Sequence, residues 1–106
     1  MNVTTFRASI TDAEPPPNLN LALRALWFDA KGDWEAAHAA AQADKGGAAD
    51  WVHAYLHRKE GDESNAAYWY RRARKPFFNA SLDSEWEEIA AALLAQCKSA
   101  PKPAMD

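Results

Sequence analysis

The sequence predicts an all-α fold, built as two stacked helical hairpins plus a C-terminal capping helix, about five helices in total. Three observations support this prediction. Glycine and proline fall only between segments that are rich in Ala, Leu, Glu, Arg and Lys, the strongest helix formers. No segment shows the apolar–polar alternation with β-branched residues that is typical of strands. A Gly-Asp pair occurs at residues 32–33 and again at residues 61–62, which indicates a repeated hairpin.

The chain has 106 residues and a formal net charge of −3, which fits one globular domain without a basic footprint for nucleic acid. The longest apolar run is far shorter than the ~20 residues that a membrane helix needs, so no membrane partner is expected. No signal-peptide core precedes residue 18, and by elimination we expect a cytoplasmic protein. The single cysteine, Cys97, excludes an internal disulfide and is expected to pack in the core.

Prolines divide the chain into three parts. Pro15, Pro16 and Pro17 end an N-terminal arm, residues 1–17, that we expect to be extended. Residues 18–99 form a single all-helical domain. Residues 100–106, which carry two further prolines, are predicted to be a disordered tail.

The first predicted hairpin pairs a helix over about residues 19–31 with a helix over about 34–44. Asn18 is the expected N-cap of the first helix and Gly32 ends it, while Asp33 is the expected N-cap of the second. The second helix has an alanine-rich face that allows close approach. The apolar face of the first helix consists of Leu19, Leu23, Leu26, Trp27 and Ala30.

The second predicted hairpin pairs a helix over about residues 48–60 with one that begins after Asp62 and ends near residue 75. Val52, Tyr55 and Leu56 form the apolar stripe of its first helix. Basic residues crowd the end of its second helix, where they complement the helix dipole. The inner face of this second helix consists of Ala66, Trp69, Tyr70 and Ala73.

The last predicted helix spans about residues 84–99, and Ser84 and Glu87 have the spacing of a capping box at its start. The preceding loop, residues 76–82, contains Phe77 and Phe78, which we expect to fold back onto the core. One face of the helix carries Trp86, Ile89, Leu93 and Cys97.

The offset between Gly32 and Gly61 also places Leu23, Leu26 and Trp27 on Val52, Tyr55 and Leu56, so the two hairpins read as copies of one unit. The second copy resembles a tetratricopeptide (TPR) or Sel1-like repeat at Gly61, Ala66, Tyr70 and Ala73, and the first copy at Gly32, Trp34 and Ala37. The small residue of the first helix of each repeat matches at Ala25 and Ala54. The pattern is broken at Ala41, Asp44, His57 and Glu63.

The resemblance covers about residues 19–76 and implies a module that binds a protein or peptide partner, without implying a particular ligand. Stacked repeats need about three units for stability. Two hairpins and a cap fall short of this number, and a homodimer would supply the missing packing.

The leading functional hypothesis is therefore an interaction module that uses aromatic and arginine anchors. Its contacts would come from the face built by the first and third helices, namely Trp51, Tyr55 and Arg58. Trp51 lies away from the apolar stripe of its helix and is the tryptophan left over for recognition. An anion could bind the outer face of the fourth helix at Tyr68, Arg71 and Arg72, although these arginines also suit the helix dipole and nearby glutamates.

A second hypothesis is a small-molecule or metal-binding protein, with enzymatic activity left open. Asp50, His53, His57 and Glu60 span an arc of only ~80° on one helix, and two histidines with a carboxylate can bind zinc or iron. The apolar stripe of the helix places this row half exposed beside the core, whereas the repeat alignment turns both histidines inward against the next helix; we prefer the first placement. Such rows are common on helices and no HExxH motif occurs, so we assign no metal ligand and predict no cofactor.

The third histidine, His38, lies one turn after Trp34 and would approach His57 if the two hairpins stack. The alternative pocket is therefore expected around His38, His53 and His57. The sequence contains no P-loop, GxGxxG or GxSxG motif, and we assign no catalytic residue.

Overall fold

The computed structural model describes residues 1–99, with side chains described through residue 96, and the predicted tail over residues 100–106 and the side chain of Cys97 lie outside this description. The described residues form six α-helices and no strand, which confirms the all-α class. A 3₁₀ turn, Ser9–Thr11, follows the first helix. The helices are α1 Val3–Ala8, α2 Leu21–Ala30, α3 Trp34–Ala43, α4 Asp50–Lys59, α5 Glu63–Ala73 and α6 Leu82–Ser99.

Helices α2 and α3 form one hairpin, and α4 and α5 form the other. Both hairpins turn in the same way, through a glycine with a left-handed backbone, Gly32 at φ +89° and Gly61 at φ +88°. The next residue caps the following helix, because Asp33 and Asp62 accept hydrogen bonds from backbone amides in its first turn. The repeated Gly-Asp pair is thus a combined helix stop and helix start.

Helix α3 contacts α4 and joins the two hairpins, while α6 contacts both α2 and α4 and closes the core as expected of a capping helix. Trp86 of α6 is buried and its indole Nε1 donates to the Leu26 carbonyl at 3.0 Å. This bond satisfies the polar edge of the ring inside the core. The largest apolar side chains that are fully buried are Phe6, Leu23, Leu26, Trp27, Val52, Leu56 and Ile89.

Two helices begin at caps that differ from those predicted. Asn20 rather than Asn18 caps α2, because its side chain accepts from the Leu23 amide at 2.8 Å, while Asn18 has a left-handed backbone with φ 69°. Helix α6 begins before Ser84, and the Ser81 hydroxyl accepts from the Ser84 amide at 3.0 Å. In both cases the sequence offers two capping residues close together, and the path of the incoming chain selects one.

The N-terminal arm is not extended throughout, since residues 3–8 form α1. Phe6 is fully buried and its ring stacks on Trp86 at a centroid distance of 5.6 Å. Arg7 lies over the same indole and its Nη2 is 3.2 Å from a carboxylate oxygen of Glu87. A six-residue helix is not stable alone, and the burial of Phe6 against α6 supplies the stabilisation that local sequence does not indicate.

The loop before α6 follows the prediction only in part. Phe78 is partly buried and packs against Ala54, Ala66 and Tyr70. Phe77 remains 41% exposed, although its ring lies 4.8 Å from that of Tyr70. Only one of the two phenylalanines therefore folds back onto the core.

Candidate metal-binding site

Three histidines converge where the two hairpins meet. His38 comes from α3, and His53 and His57 come from successive turns of α4. One ring nitrogen of each histidine lies within 4.8 Å of those of the other two. The Nε2 atoms of His38 and His53 are 3.1 Å apart. The spacing of four residues puts two imidazoles on one face of α4, and packing of α3 against α4 adds the third.

Two of these side chains are buried, His53 with 4% exposure and His57 with 7%. The preferred expectation of half-exposed histidines is therefore wrong, and both are buried as the repeat alignment indicates; His53 contacts the next helix as that alignment places it, whereas His57 packs against Trp34 and His38 of α3. His53 is buried because α5 places the Trp69 ring parallel to the His53 ring, with the two ring centroids 3.8 Å apart. Trp34 stacks on His38 at 4.9 Å and covers the other side of the cluster.

The environment of His38 and His53 favours the neutral imidazole. Burial lowers the pKa of His53 to about 4, and the neighbouring charges of His38, His57 and Arg72 act in the same direction. Burial also lowers the pKa of His38, with a further contribution from His57. A neutral imidazole keeps the lone pair that a metal ion requires.

His57 is oriented by a carboxylate. Its Nδ1 is 2.7 Å from Oε2 of Glu60, one turn further along the chain. This contact leaves Nε2 as the nitrogen of His57 that can serve a ligand, which is the arrangement seen around many metal-bound histidines. Asp62 also lies close to His57 and Glu60, but its carboxylate is engaged in capping α5.

A cavity of about 490 Å³ opens beside the histidine cluster. All three histidines line it, together with residues from the α3–α4 loop and from α5. The cavity lies within the size range of small-molecule sites. Its polar and aromatic lining includes Gln42, Lys45, Asp50, Asn65, Trp69 and Arg72.

Asp50 does not extend the ligand row as the helix arc suggested. Its Oδ2 lies 3.6 Å from Nε of Arg72 on α5. The guanidinium of Arg72 in turn lies over the Trp69 ring, 5.0 Å from its centroid. The first carboxylate of the row thus pairs with an arginine across the cavity, whereas the last, Glu60, orients His57.

The predicted interaction face of Trp51, Tyr55 and Arg58 is bonded within the chain. Tyr55 is 3% exposed and its hydroxyl donates to Asp29 at 2.8 Å. Trp51 Nε1 and Arg58 Nη1 donate to Glu85 of α6, at 2.9 Å and 2.8 Å. Placing these three residues on an open face is therefore wrong, because Tyr55 bonds to α2 and the other two bond to α6.

Glu85 itself was not singled out by the sequence, where it reads as one of several acidic residues that suit the start of a helix. In the structure it is fully buried. Its carboxylate accepts from Arg58, Trp51 and the Tyr70 hydroxyl. No sequence pattern distinguishes it from its exposed neighbours Glu87 and Glu88, because all three lie in one short acidic run.

The predicted anion-binding residues on α5 do not all lie beside the cavity. Tyr68 is 44% exposed, and its hydroxyl lies 3.5 Å from Nη1 of Arg72. Arg72 also lines the cavity, whereas Arg71 is exposed and does not. Of the predicted anion-binding residues, only Arg72 is thereby placed beside the histidines.

No protein-family model, curated protein or solved structure matches the chain. The resemblance to TPR-type repeats stays a prediction for this reason. Among the described residues, no helix has the length and apolar character needed to cross a membrane. The function must accordingly be argued from the histidine cluster and its cavity.

Proposed function

We propose that the protein binds a first-row divalent transition metal, with zinc as the best match, through His38, His53 and His57. The observation that carries the proposal is the mutual proximity of three ligand nitrogens within 4.8 Å. Zinc–nitrogen bonds of about 2.0–2.1 Å in tetrahedral geometry place two ligand nitrogens roughly 3.3 Å apart. The 3.1 Å between the Nε2 atoms of His38 and His53 is close to this value.

The chemistry of the donors supports the same proposal. Burial favours the neutral form of His38 and His53, so each of these rings keeps a lone pair that a metal ion can use. Three nitrogen ligands suit zinc, copper and nickel better than magnesium or calcium, which prefer oxygen. The contact of Glu60 with His57 adds the carboxylate partner that orients a metal-bound histidine.

The ligand count favours an open site over a closed structural one. Structural zinc sites normally use four protein ligands, whereas sites that keep an exchangeable position use three. Among the described residues no carboxylate joins the group of three histidine nitrogens within 4.8 Å, since Glu60 and Asp62 are grouped with His57 alone. The fourth position would face the cavity and take water or a small ligand.

The test is metal binding by untagged protein, measured by equilibrium dialysis and elemental analysis at neutral pH. We expect one zinc ion per chain in the wild type and loss of stoichiometric binding in His38→Asn and His53→Ala. Gln42→Ala is the matched control, because Gln42 lines the cavity without belonging to the cluster. The proposal fails if the wild type binds no zinc, copper, nickel or cobalt, or if the histidine variants bind as much as the control.

A protein or peptide partner and a homodimer remain predictions. Trp51, Tyr55 and Arg58 are not proposed as the contacts of such a partner, because their polar atoms are bonded inside the chain. The convergence of His38 on the pair from α4 is what turns the preference from an interaction module towards a metal-binding protein.

A further inference from the structure

We infer that the open position of the proposed metal site takes a small carboxylate anion whose second contact is the guanidinium of Arg72. This inference rests on the proposed metal site. It adds the chemical class of the ligand and the residue that selects it.

The first step is that the charge around a bound metal ion favours an anion at the open position. Three neutral imidazoles leave both charges of a divalent ion uncompensated in its coordination shell, because the carboxylates of Glu60 and Asp62 lie behind His57 and do not join the three ligand nitrogens. The other charged residues of the cavity balance, since Asp44 and Asp50 are matched by Lys45 and Arg72. The coordination shell of a bound metal ion would thus contain no anionic ligand, and the positive charge at the open position attracts an anion.

The second step is that the nearby carboxylates are already engaged. Asp44 accepts hydrogen bonds from the backbone amides of Gly46 at 3.1 Å and Ala49 at 2.8 Å, which ties it to the α3–α4 loop. Asp50 faces Nε of Arg72. Neither belongs to the group of atoms around the three histidines, so the fourth ligand is expected to come from outside the chain.

The third step is the position of Arg72. The Trp69 ring contacts both His53 and Arg72. It stacks on the His53 ring with a centroid distance of 3.8 Å, and the Arg72 guanidinium lies over it. His53 and Arg72 therefore share contacts with one aromatic ring and line the same cavity. The Arg72 side chain is 51% exposed; Asp50 approaches it at Nε and the Tyr68 hydroxyl lies 3.5 Å from Nη1, which leaves Nη2 as the terminal nitrogen for a ligand.

The fourth step selects a carboxylate over a phosphate. One metal position and one arginine provide two points of contact, which match the two oxygens of a carboxylate. A phosphate dianion would meet more repulsion from Asp44 and Asp50, which face the same cavity. A cavity of about 490 Å³ accommodates an organic acid of modest size.

The experiment uses cobalt(II)-loaded protein, whose visible spectrum reports the coordination of the metal. Titration with acetate is expected to change the spectrum to saturation, and inorganic phosphate is expected to bind more weakly. Arg72→Met should weaken acetate binding by about tenfold or more, as loss of a charge-assisted contact predicts, while the variant still binds one cobalt ion per chain through the three histidines. Arg72→Lys, which keeps the charge but not the fork, should fall between the two.

Arg71→Met is the matched control, because Arg71 is the neighbouring exposed arginine and does not line the cavity. Its acetate affinity should equal that of the wild type, and circular dichroism should show the same helix content for every variant. Absence of a cobalt spectrum would contradict the proposed metal site itself. A normal cobalt spectrum that acetate does not change, an Arg72→Met variant that binds acetate like the control, or tighter binding of phosphate would each overturn this inference alone.

Discussion

The buried carboxylate of Glu85 is expected to be the most sensitive single group for the stability of the fold. It accepts from donors on two other helices: Arg58 at 2.8 Å and Trp51 at 2.9 Å from α4, and the Tyr70 hydroxyl at 2.5 Å from α5. Arg58 also donates to the Ala80 carbonyl just before α6. One side chain of α6 therefore connects the capping helix to the second hairpin.

Glu85→Gln tests this network with little change of shape. The amide has a single oxygen, and if it serves Trp51 and Tyr70 then the amide nitrogen faces the Arg58 guanidinium, which is also a donor. Breaking a buried charge pair costs about 3–5 kcal/mol, whereas losing one hydrogen bond to a charged group costs about 1.5–3 kcal/mol. Since the Arg58 side chain is 17% exposed and water can reach it, we expect the free energy of unfolding to fall by about 3 kcal/mol.

The measurement is urea unfolding followed by tryptophan fluorescence and circular dichroism, with the slope of the transition unchanged. Glu87→Gln is the control on the same helix, because its contact with Arg7 is exposed and should contribute less than about 1 kcal/mol. The double variant Arg58→Met with Glu85→Gln should cost less than the sum of the single changes, as it removes the donor left without a partner. A loss below about 1 kcal/mol for Glu85→Gln, or strict additivity in the double variant, would refute the reasoning.

Three further predictions follow from the core and the turns. Burial beside a carboxylate raises the pKa of Tyr55 and of Tyr70, so the unfolded chain loses these protons first and the free energy of unfolding should fall as the pH rises above about 10. A titration of tyrosinate absorbance with parallel circular dichroism should show both tyrosines ionising only as helix is lost. Ionisation with the helices intact would contradict their buried placement. Phe6→Ala should lower the free energy of unfolding by about 3 kcal/mol in chemical denaturation. This is the low end of the losses seen for buried phenylalanines, because a terminal helix can detach. A loss under about 1 kcal/mol would mean that α1 does not pack as described. Gly32→Ala should lower the free energy of unfolding by about 1 kcal/mol or more because alanine is strained at φ +89°. Gly46→Ala should change the melting temperature little, because the added Cβ would lie 3.6 Å from Asp44 Oδ1, an ordinary contact distance. Equal effects of the two changes would argue against this account of the turn.

The helices of both hairpins were predictable because their signals are local. The stop at Gly32 and the start at Asp33 lie within a few residues of the bonds they make, and the same holds for Gly61 and Asp62. Helix α1 was not predictable, because six residues with one aromatic carry no periodicity, and the contacts of Phe6 and Arg7 with α6 stabilise them.

Only part of the candidate site was predictable from the sequence. The spacing of His53 and His57 follows from the helical period, and Glu60 on the next turn is expected to reach His57. The approach of His38 depends on how α3 packs against α4, and the burial of His53 depends on Trp69 from α5. Neither packing angle can be read from one helix alone.

The sequence by itself determined the helical class, the repeated hairpin and the turns, since helix propensity, caps and glycine turns act over a few residues. Only the tertiary structure decided which polar groups lie inside. An apolar stripe shows which face of a helix meets the core, but a polar residue beside that stripe is buried only if another helix brings it a partner. Glu85 meets three donors and is buried, whereas Glu87 on the same helix meets one exposed arginine and stays at the surface.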